Sequence, residues 1–231
     1  MMILIVIMKK LILVRAGSTA WEDVSKREED GSNLSPDDQR LQGTIPLPLS
    51  PDGMEALKEI APVLLKEDAE IIYSSGNESS GPTAEYLAEI CNLKNKKITE
   101  LGELNCGLWQ GLRIKEIKNR FESAYRQWLS DPTSICPPQG ESIPAASERI
   151  CRALRLLQNK NNDKTVVIVG AKITAALIEC ILTESNLNQF WHYFDQPVPL
   201  RVFECPDNSF SFNLSNEEQK PYSPVKRINS A

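Results

Sequence analysis

The sequence predicts an α/β fold, a three-layer α/β/α sandwich in which helices cover both faces of a mostly parallel sheet. Two apolar runs of strand length, residues 11–14 and 165–169, support this prediction because each is followed at once by small or polar residues. Segments with helical periodicity lie between the predicted strands. With 231 residues and 41% hydrophobic content, the chain is long enough to bury the core of one such domain.

Charge and cysteine usage narrow the class of protein. The net charge is −5 and the acidic and basic residues are interspersed, so neither a nucleic acid nor an anionic membrane is expected as a partner. The six cysteines include no Cys-x-x-Cys pair, which is typical of reduced thiols in the cytoplasm. We therefore expect a cytoplasmic protein without a metal site or a cofactor, whose oligomeric state the sequence does not indicate.

Residues 1–8 form an N-terminal extension before the predicted domain, which spans residues 9–214. The extension is apolar, but Lys9 and Lys10 follow it rather than precede it, and it is too short to cross a bilayer. Two explanations stay open. Either the first strand is extended, or the start codon is assigned too early and the chain begins at Met8.

The first predicted strand ends in a polar stretch. Residues 11–14 are followed at once by Arg15-Ala16-Gly17-Ser18-Thr19. Open α/β sheets bind ligands at the carboxyl ends of their strands, so this stretch is a candidate site. Residues 22–39 then form a polar insertion loop rich in turn formers. A solvated loop is favoured by the general behaviour of long loops, and a lid beside the strand end is the alternative.

A helix, a strand and a second helix are predicted next. Ser50 is a suitable N-cap for a helix that begins at Pro51. Residues 69–75 predict the second strand. The apolar residues of the two helices are Met54, Leu57, Ile60, Ala61 and Leu64 in the first, and Tyr86, Leu87, Ile90 and Cys91 in the second.

A glutamate and a glycine-rich turn follow. Glu103 precedes the turn Gly107-Leu108-Trp109-Gln110-Gly111. Helical periodicity then covers residues 114–129, with Trp128 facing inward, and residues 147–157.

The last part of the chain contains a buried type of strand. Residues 165–169 are continuously apolar or β-branched, as parallel sheets require, and a helix through residues 175–178 follows. Two short strands are predicted at residues 201–204 and 210–213, and residues 215–231 are expected to be a flexible tail.

Several of these segments, in this order, resemble the signature segments of the histidine phosphatase superfamily, the phosphoglycerate mutase-like proteins. The resemblance extends from Lys9 to Asn213 and implies a phosphoglycerate mutase-like α/β/α sandwich with phosphatase or phosphomutase activity. The segments that carry it lie at residues 9–21, 40–53, 74–84, 103–111, 137–142 and 165–178.

The resemblance also implies that catalytic groups are missing. Ala16 and Gly170 stand at the positions of the two catalytic histidines of the family, and Ser79 stands at the position of a phosphate-binding arginine. Arg15 is retained, as is Glu103 at the position of the proton-donating carboxylate. Loss of a nucleophile from a working triad costs on the order of a million-fold in rate. We therefore expect a pseudoenzyme rather than an active phosphatase.

The remaining groups still suit an anionic ligand. Arg15, the N–H groups of Gly17 and Ser18, and the side chain of Gln42 can each donate a charge-assisted hydrogen bond, worth about 1.5 to 3 kcal/mol. Lys172 follows the strand that carries the second histidine in the family, and it is expected to restore part of the lost positive charge. A phosphorylated small molecule or a protein partner is therefore expected in this cleft.

Three alternatives stay open. The pocket is an empty relic packed by Ala16 and Gly170, the chain is a purely structural subunit, or it is a weak phosphohydrolase that uses water with Glu103 as general acid. Cys106 lacks the arginine of a Cys-x5-Arg cradle and is expected in the core. His192, the only histidine, is expected to be structural or exposed.

Overall fold

The computed structural model describes residues 8–22, 35–195 and 199–204. These residues form a five-stranded sheet in the order β3-β2-β4-β1-β5. Strands β1 to β4 are parallel, and β5 pairs with β1 in the antiparallel direction. The strands are β1 (Lys10–Arg15), β2 (Ile71–Ser74), β3 (Lys94–Lys97), β4 (Thr165–Gly170) and β5 (Leu200–Glu204). The predicted α/β fold with a mostly parallel sheet is confirmed.

Seven α-helices are present in the described part of the chain. Short 3-10 turns accompany them, among them the one at Pro36–Asp38 inside the predicted insertion loop. The helices are α1 (Pro51–Lys66), α2 (Ser80–Cys91), α3 (Ile114–Arg120), α4 (Glu122–Ser130), α5 (Ile143–Lys160), α6 (Lys172–Leu182) and α7 (Phe190–Asp195).

The alternating side chains of the central strands build two cores, one on each face of the sheet. In β1, Leu11 and Leu13 pack into the core that includes residues of α3 to α7. Ile12 and Val14 point the other way and pack with α1 and α2. Every residue of β4 is buried, which explains why its sequence is continuously apolar rather than alternating. The three layers thus follow from the period of two in the strands.

Two helix starts follow the expected capping chemistry. The Ser50 hydroxyl accepts a hydrogen bond from the Gly53 N–H at 3.0 Å, which fixes the start of α1 as predicted. Ser142 caps α5 in the same way through the Ala145 N–H. Helix α5 therefore begins four residues before the predicted start at residue 147.

Two details of the predicted helices are wrong. The single helix predicted over residues 114–129 is two helices, because Phe121 leaves the helical region of backbone space with φ −131°. Trp128 faces inward as expected and is 2% exposed. Ile90 is 47% exposed, because it lies beside rather than on the buried stripe of α2 that ends at Leu87 and Cys91.

Strand β3 was not predicted, because its sequence Lys-Asn-Lys-Lys has no apolar residue. Lysines suit its place at an edge of the sheet, where they oppose pairing with other chains. Residues 1–7, most of the 22–39 loop, the strand predicted at 210–213 and the tail at 215–231 lie outside the described residues. No helix in the described ranges has the length and apolar character needed to cross a membrane.

Candidate functional site

The carboxyl ends of β1 and β4 lie side by side. Arg15 is paired with Gly170 in the parallel register, and the Ala16 N–H donates to the Gly170 carbonyl at 2.8 Å. The two positions that the resemblance assigns to the catalytic histidines are therefore adjacent in space. Helix α6 begins at Lys172, directly behind them.

A cavity of about 450 Å³ opens beside these strand ends. Four of the predicted site residues line it: Gln42, Ser79, Glu103 and Lys172. The other predicted site residues, Arg15, Ala16, Gly17, Ser18 and Gly170, are not among its described lining residues.

One wall of the cavity is apolar and was not predicted from the sequence. It is formed mainly by α3, α4 and α7, and of the apolar residues in these helices only Trp128 was singled out from the sequence, as inward-facing. Leu129 at this wall is 43% exposed, so the cavity offers apolar surface to a ligand. The apolar and aromatic lining residues are Trp21, Leu41, Ile114, Tyr125, Trp128, Leu129, Trp191 and Phe194.

The Glu103 carboxylate caps the N-terminus of α6. Its oxygens accept hydrogen bonds from the N–H groups of Ile173 at 2.7 Å and Thr174 at 2.9 Å, from the Thr174 hydroxyl at 3.1 Å, and from the Leu104 N–H at 2.7 Å. Burial raises the pKa of Glu103 to about 7, while these hydrogen bonds oppose the shift. The carboxyl group can therefore change protonation near neutral pH, but its oxygens are already engaged.

Arg149 holds the segment that carries Glu103. Its guanidinium donates to the carbonyls of Glu100 at 2.7 Å, Gly102 at 2.8 Å and Glu103 at 3.2 Å. The same group forms a bidentate pair with Glu141 at 2.7 and 2.8 Å. No role was predicted for Arg149 from the sequence, and the structure places it as a clamp on the Glu103 backbone.

Two cations lie near the strand ends. Burial lowers the pKa of Lys172, and its Nζ lies 4.0 Å from Glu22 Oε1 and 4.6 Å from the centre of the Phe194 ring. Burial also lowers the pKa of Arg15, and the acidic neighbours Glu22 and Glu103 oppose that shift. Sequence patterns gave no reason to single out Glu22, because its partner Lys172 lies far along the chain.

Two of the expected anion contacts are already used inside the protein. The Gly17 N–H donates to the Thr83 hydroxyl at 3.0 Å. The Gln42 amide nitrogen donates to the Ile45 carbonyl at 2.8 Å, and its oxygen accepts from the Thr19 hydroxyl at 3.0 Å. The Ser18 hydroxyl, which is not the N–H predicted to bind an anion, lies 3.1 Å from the Ser50 hydroxyl. An anion that binds to the Gly17 N–H or to the Gln42 amide would therefore have to displace these partners.

Other nucleophile candidates lie away from solvent or away from the cavity. Cys106 is buried as predicted, and burial together with Glu103 and Glu141 raises the pKa of its thiol. His192 is exposed on α7, as expected, and is not among the described lining residues of the cavity. Within residues 8–22, 35–195 and 199–204, no group of three or more His, Cys, Asp or Glu could hold a metal ion.

Comparison with known proteins gives a consistent result. The family model of the histidine phosphatase superfamily (branch 1) matches residues 11–218. Phosphoserine phosphatase 1 of Hydrogenobacter thermophilus is 28% identical over 186 residues, which cover 80% of this chain and 82% of that protein. The adenosylcobalamin/alpha-ribazole phosphatase of Escherichia coli is 22% identical over 156 residues, 68% of this chain and 77% of that protein. Among solved structures, Bacillus stearothermophilus YhfR has a TM-score of 0.71 with 21% identity, covering 84% of this chain and 90% of that chain.

Proposed function

The chain belongs to the histidine phosphatase superfamily, and on that basis we propose that it is a catalytically inactive member that binds an anionic ligand in its cleft. One observation carries the proposal. The adjacent strand-end positions assigned to the catalytic histidines hold Ala16 and Gly170, neither of which has a nucleophile. A phosphoenzyme needs a nucleophilic atom in line with phosphorus, together with groups that stabilise the developing charge.

The packing of α6 supports the same proposal. A Cβ atom added at Gly170 would lie 3.0 Å from the Ala175 nitrogen and 3.1 Å from its Cα. Contacts this close to backbone atoms need a shift of the helix. A side chain at this position would therefore require α6 to move by a few tenths of an ångström.

Charge and shape favour a phosphate ester with an apolar body as the ligand class. Lys172 lines the cavity, and Arg15 lies within electrostatic reach of it. The apolar wall of the same cavity suits the non-phosphate part of such a ligand. The names of two relatives, phosphoserine phosphatase and adenosylcobalamin/alpha-ribazole phosphatase, support phosphate esters as the chemical class. A protein partner and a cytoplasmic location stay predictions.

A second candidate function is weak hydrolysis of phosphate monoesters by water, with Glu103 as general acid. The observation that favours it is the pKa of about 7 at Glu103, a suitable value for proton donation near neutral pH. The hydrogen bonds from Ile173 and Thr174 oppose it, because a proton on either oxygen competes with them.

A calorimetric titration combined with an activity assay tests the proposal. We expect phenyl phosphate to bind to the wild type without turnover, and more tightly than phosphoserine or 3-phosphoglycerate. Lys172→Ala should weaken binding by roughly tenfold or more, the value of one charge-assisted hydrogen bond. Lys118→Ala is the matched control, because Lys118 lines the same cavity but is paired with Asp37 at 2.6 Å.

Each alternative has its own signature in this experiment. Turnover that falls in both Arg15→Ala and Glu103→Gln would establish the weak phosphohydrolase instead. Binding of no phosphate ester by the wild type would overturn the proposed function and favour the structural subunit. Equal affinities of wild type and Lys172→Ala would remove Lys172 from the site.

A further inference from the structure

A tight turn directs the Glu22 carboxylate into the cleft. The Glu22 N–H donates to the Thr19 carbonyl at 2.9 Å, and Glu22 Oε2 accepts from the Thr19 N–H at 3.2 Å. Thr19 is fully buried and is itself fixed by its bridge to Leu49 and its hydrogen bond to Gln42. The position of Glu22 is thus set by residues that are anchored in the domain.

The same carboxylate is the main negative neighbour of both cations of the site. Its Oε1 lies 4.0 Å from Lys172 Nζ. Among the charged neighbours of Lys172 and of Arg15, Glu22 has the largest effect in favour of the charged form. The side chains of Lys172 and Glu22 are only 35% and 23% exposed, so water screens their attraction incompletely.

We propose that Glu22 is a tethered carboxylate ligand of this cationic centre, and that an anionic ligand must displace it in order to bind. The inference rests on the proposed function and adds a residue that sets the affinity of the site. A tethered group competes at a high effective concentration. Glu22 therefore weakens the binding of anions by a common factor, whatever their own charge.

The test compares wild type, Glu22→Gln and Asp37→Asn. The first substitution removes the charge and keeps the shape. Asp37→Asn removes one negative charge from the same cavity, but from the partner of Lys118. The probes are phenyl phosphate, which is mainly a dianion at pH 8, and benzoate, which is a monoanion with the same aromatic body. Affinities are measured by calorimetry.

We expect Glu22→Gln to tighten binding of both probes by the same factor, at least about fivefold, the lower end of what one unit charge at 4 Å provides. Asp37→Asn should change either affinity by less than about twofold. A second measurement needs no ligand. The negative charge of Glu22 raises the pKa of Lys172, so this pKa should fall in Glu22→Gln. NMR of the Lys172 side chain during a pH titration measures it.

Four results would overturn the inference or its basis. If wild type and Glu22→Gln bind the probes with equal affinity, Glu22 does not compete with anions, and the proposed function is unaffected. A larger gain for phenyl phosphate than for benzoate would indicate simple repulsion rather than displacement. A Glu22→Gln protein that binds either probe more weakly would identify Glu22 as part of the binding site rather than as a competitor. Binding of neither probe by any variant would reject the proposed function itself.

Discussion

The Glu103 carboxylate couples the protonation of one residue to the start of helix α6. Its oxygens accept from the Ile173 and Thr174 N–H groups, where the partial positive charge of a helix N-terminus favours an anion. Burial favours the neutral acid instead, and the pKa rises from its ordinary value of 4.5 to about 7. Burial is thus the stronger of the two influences.

This balance predicts how stability depends on pH. The folded state binds the Glu103 proton more tightly than the unfolded state does, so protonation of Glu103 stabilises the folded protein. This contribution to the free energy of unfolding is complete below about pH 4.5 and is lost as the pH rises through about 7. The loss is on the order of 3 kcal/mol. Urea unfolding of wild type and Glu103→Gln between pH 4.5 and 8 measures it, and the variant should show the flatter profile.

Two comparisons keep this prediction specific. Burial also raises the pKa of Glu78, so the wild-type slope alone contains more than one group. Glu100→Gln changes an exposed carboxylate three positions before Glu103 and should leave the slope unchanged. Parallel profiles for wild type and Glu103→Gln would contradict the assignment.

At the scale of elements, Arg149 connects α5 to the segment before the glycine-rich turn. Its contacts with three backbone carbonyls and with Glu141 need the planar fork of a guanidinium. Arg149→Lys keeps the charge but loses most of these hydrogen bonds, and we expect the free energy of unfolding to fall by about 2 to 4 kcal/mol.

Thermal and urea unfolding measure this effect. Arg152→Lys on the same helix is the control, because Arg152 is exposed and its replacement should cost less than about 0.5 kcal/mol. An equal effect of the two substitutions would show that the clamp contributes nothing beyond its charge.

The elements that sequence reasoning found are those whose signal is local. The β-branched run of β4 and the Ser50 cap of α1 need only neighbouring residues to be recognised, and the structure confirms both. Strand β3 was not predicted because Lys94–Lys97 contains no apolar residue. The break between α3 and α4 at Phe121 was not predicted, because the apolar periodicity of the sequence continues across it.

The site, like the fold, was predicted only where its signal is local in the sequence. The strand ends at Arg15 and Gly170 follow from their position after apolar runs. The engagement of Gly17 by Thr83, and the approach of Glu22 to Lys172, depend on residues that are distant in the sequence. No local sequence pattern shows which distant residues come into contact. The polar groups of the site could therefore be predicted from the sequence, but their hydrogen-bond and ion-pair partners could not.

At the scale of the whole molecule, a buried ion pair fastens the last described strand to the helical layer. Arg201 of β5 pairs with Glu179 of α6, and the two side chains are 8% and 6% exposed. Strand β5 is the antiparallel strand added at the edge beside β1. The pair therefore links this edge of the sheet to the helix that begins at the site.

We expect Arg201→Met and Glu179→Leu each to lower the free energy of unfolding by about 3 to 5 kcal/mol, because each leaves a buried charge without its main partner. The double variant should lose much less than the sum of the two. Urea unfolding of the four proteins completes the double-mutant cycle. Additive losses would show that the two side chains do not interact.

The aromatic wall of the cavity has a spectroscopic consequence. Three of the four tryptophans, Trp21, Trp128 and Trp191, line the cavity. Trp109 is fully buried, and its ring contacts that of Trp128 with their centres 5.4 Å apart. A ligand that displaces water from this wall changes the surroundings of most of the indole rings at once. Intrinsic fluorescence therefore reports occupancy of the cleft without any label, including for ligands that undergo no reaction.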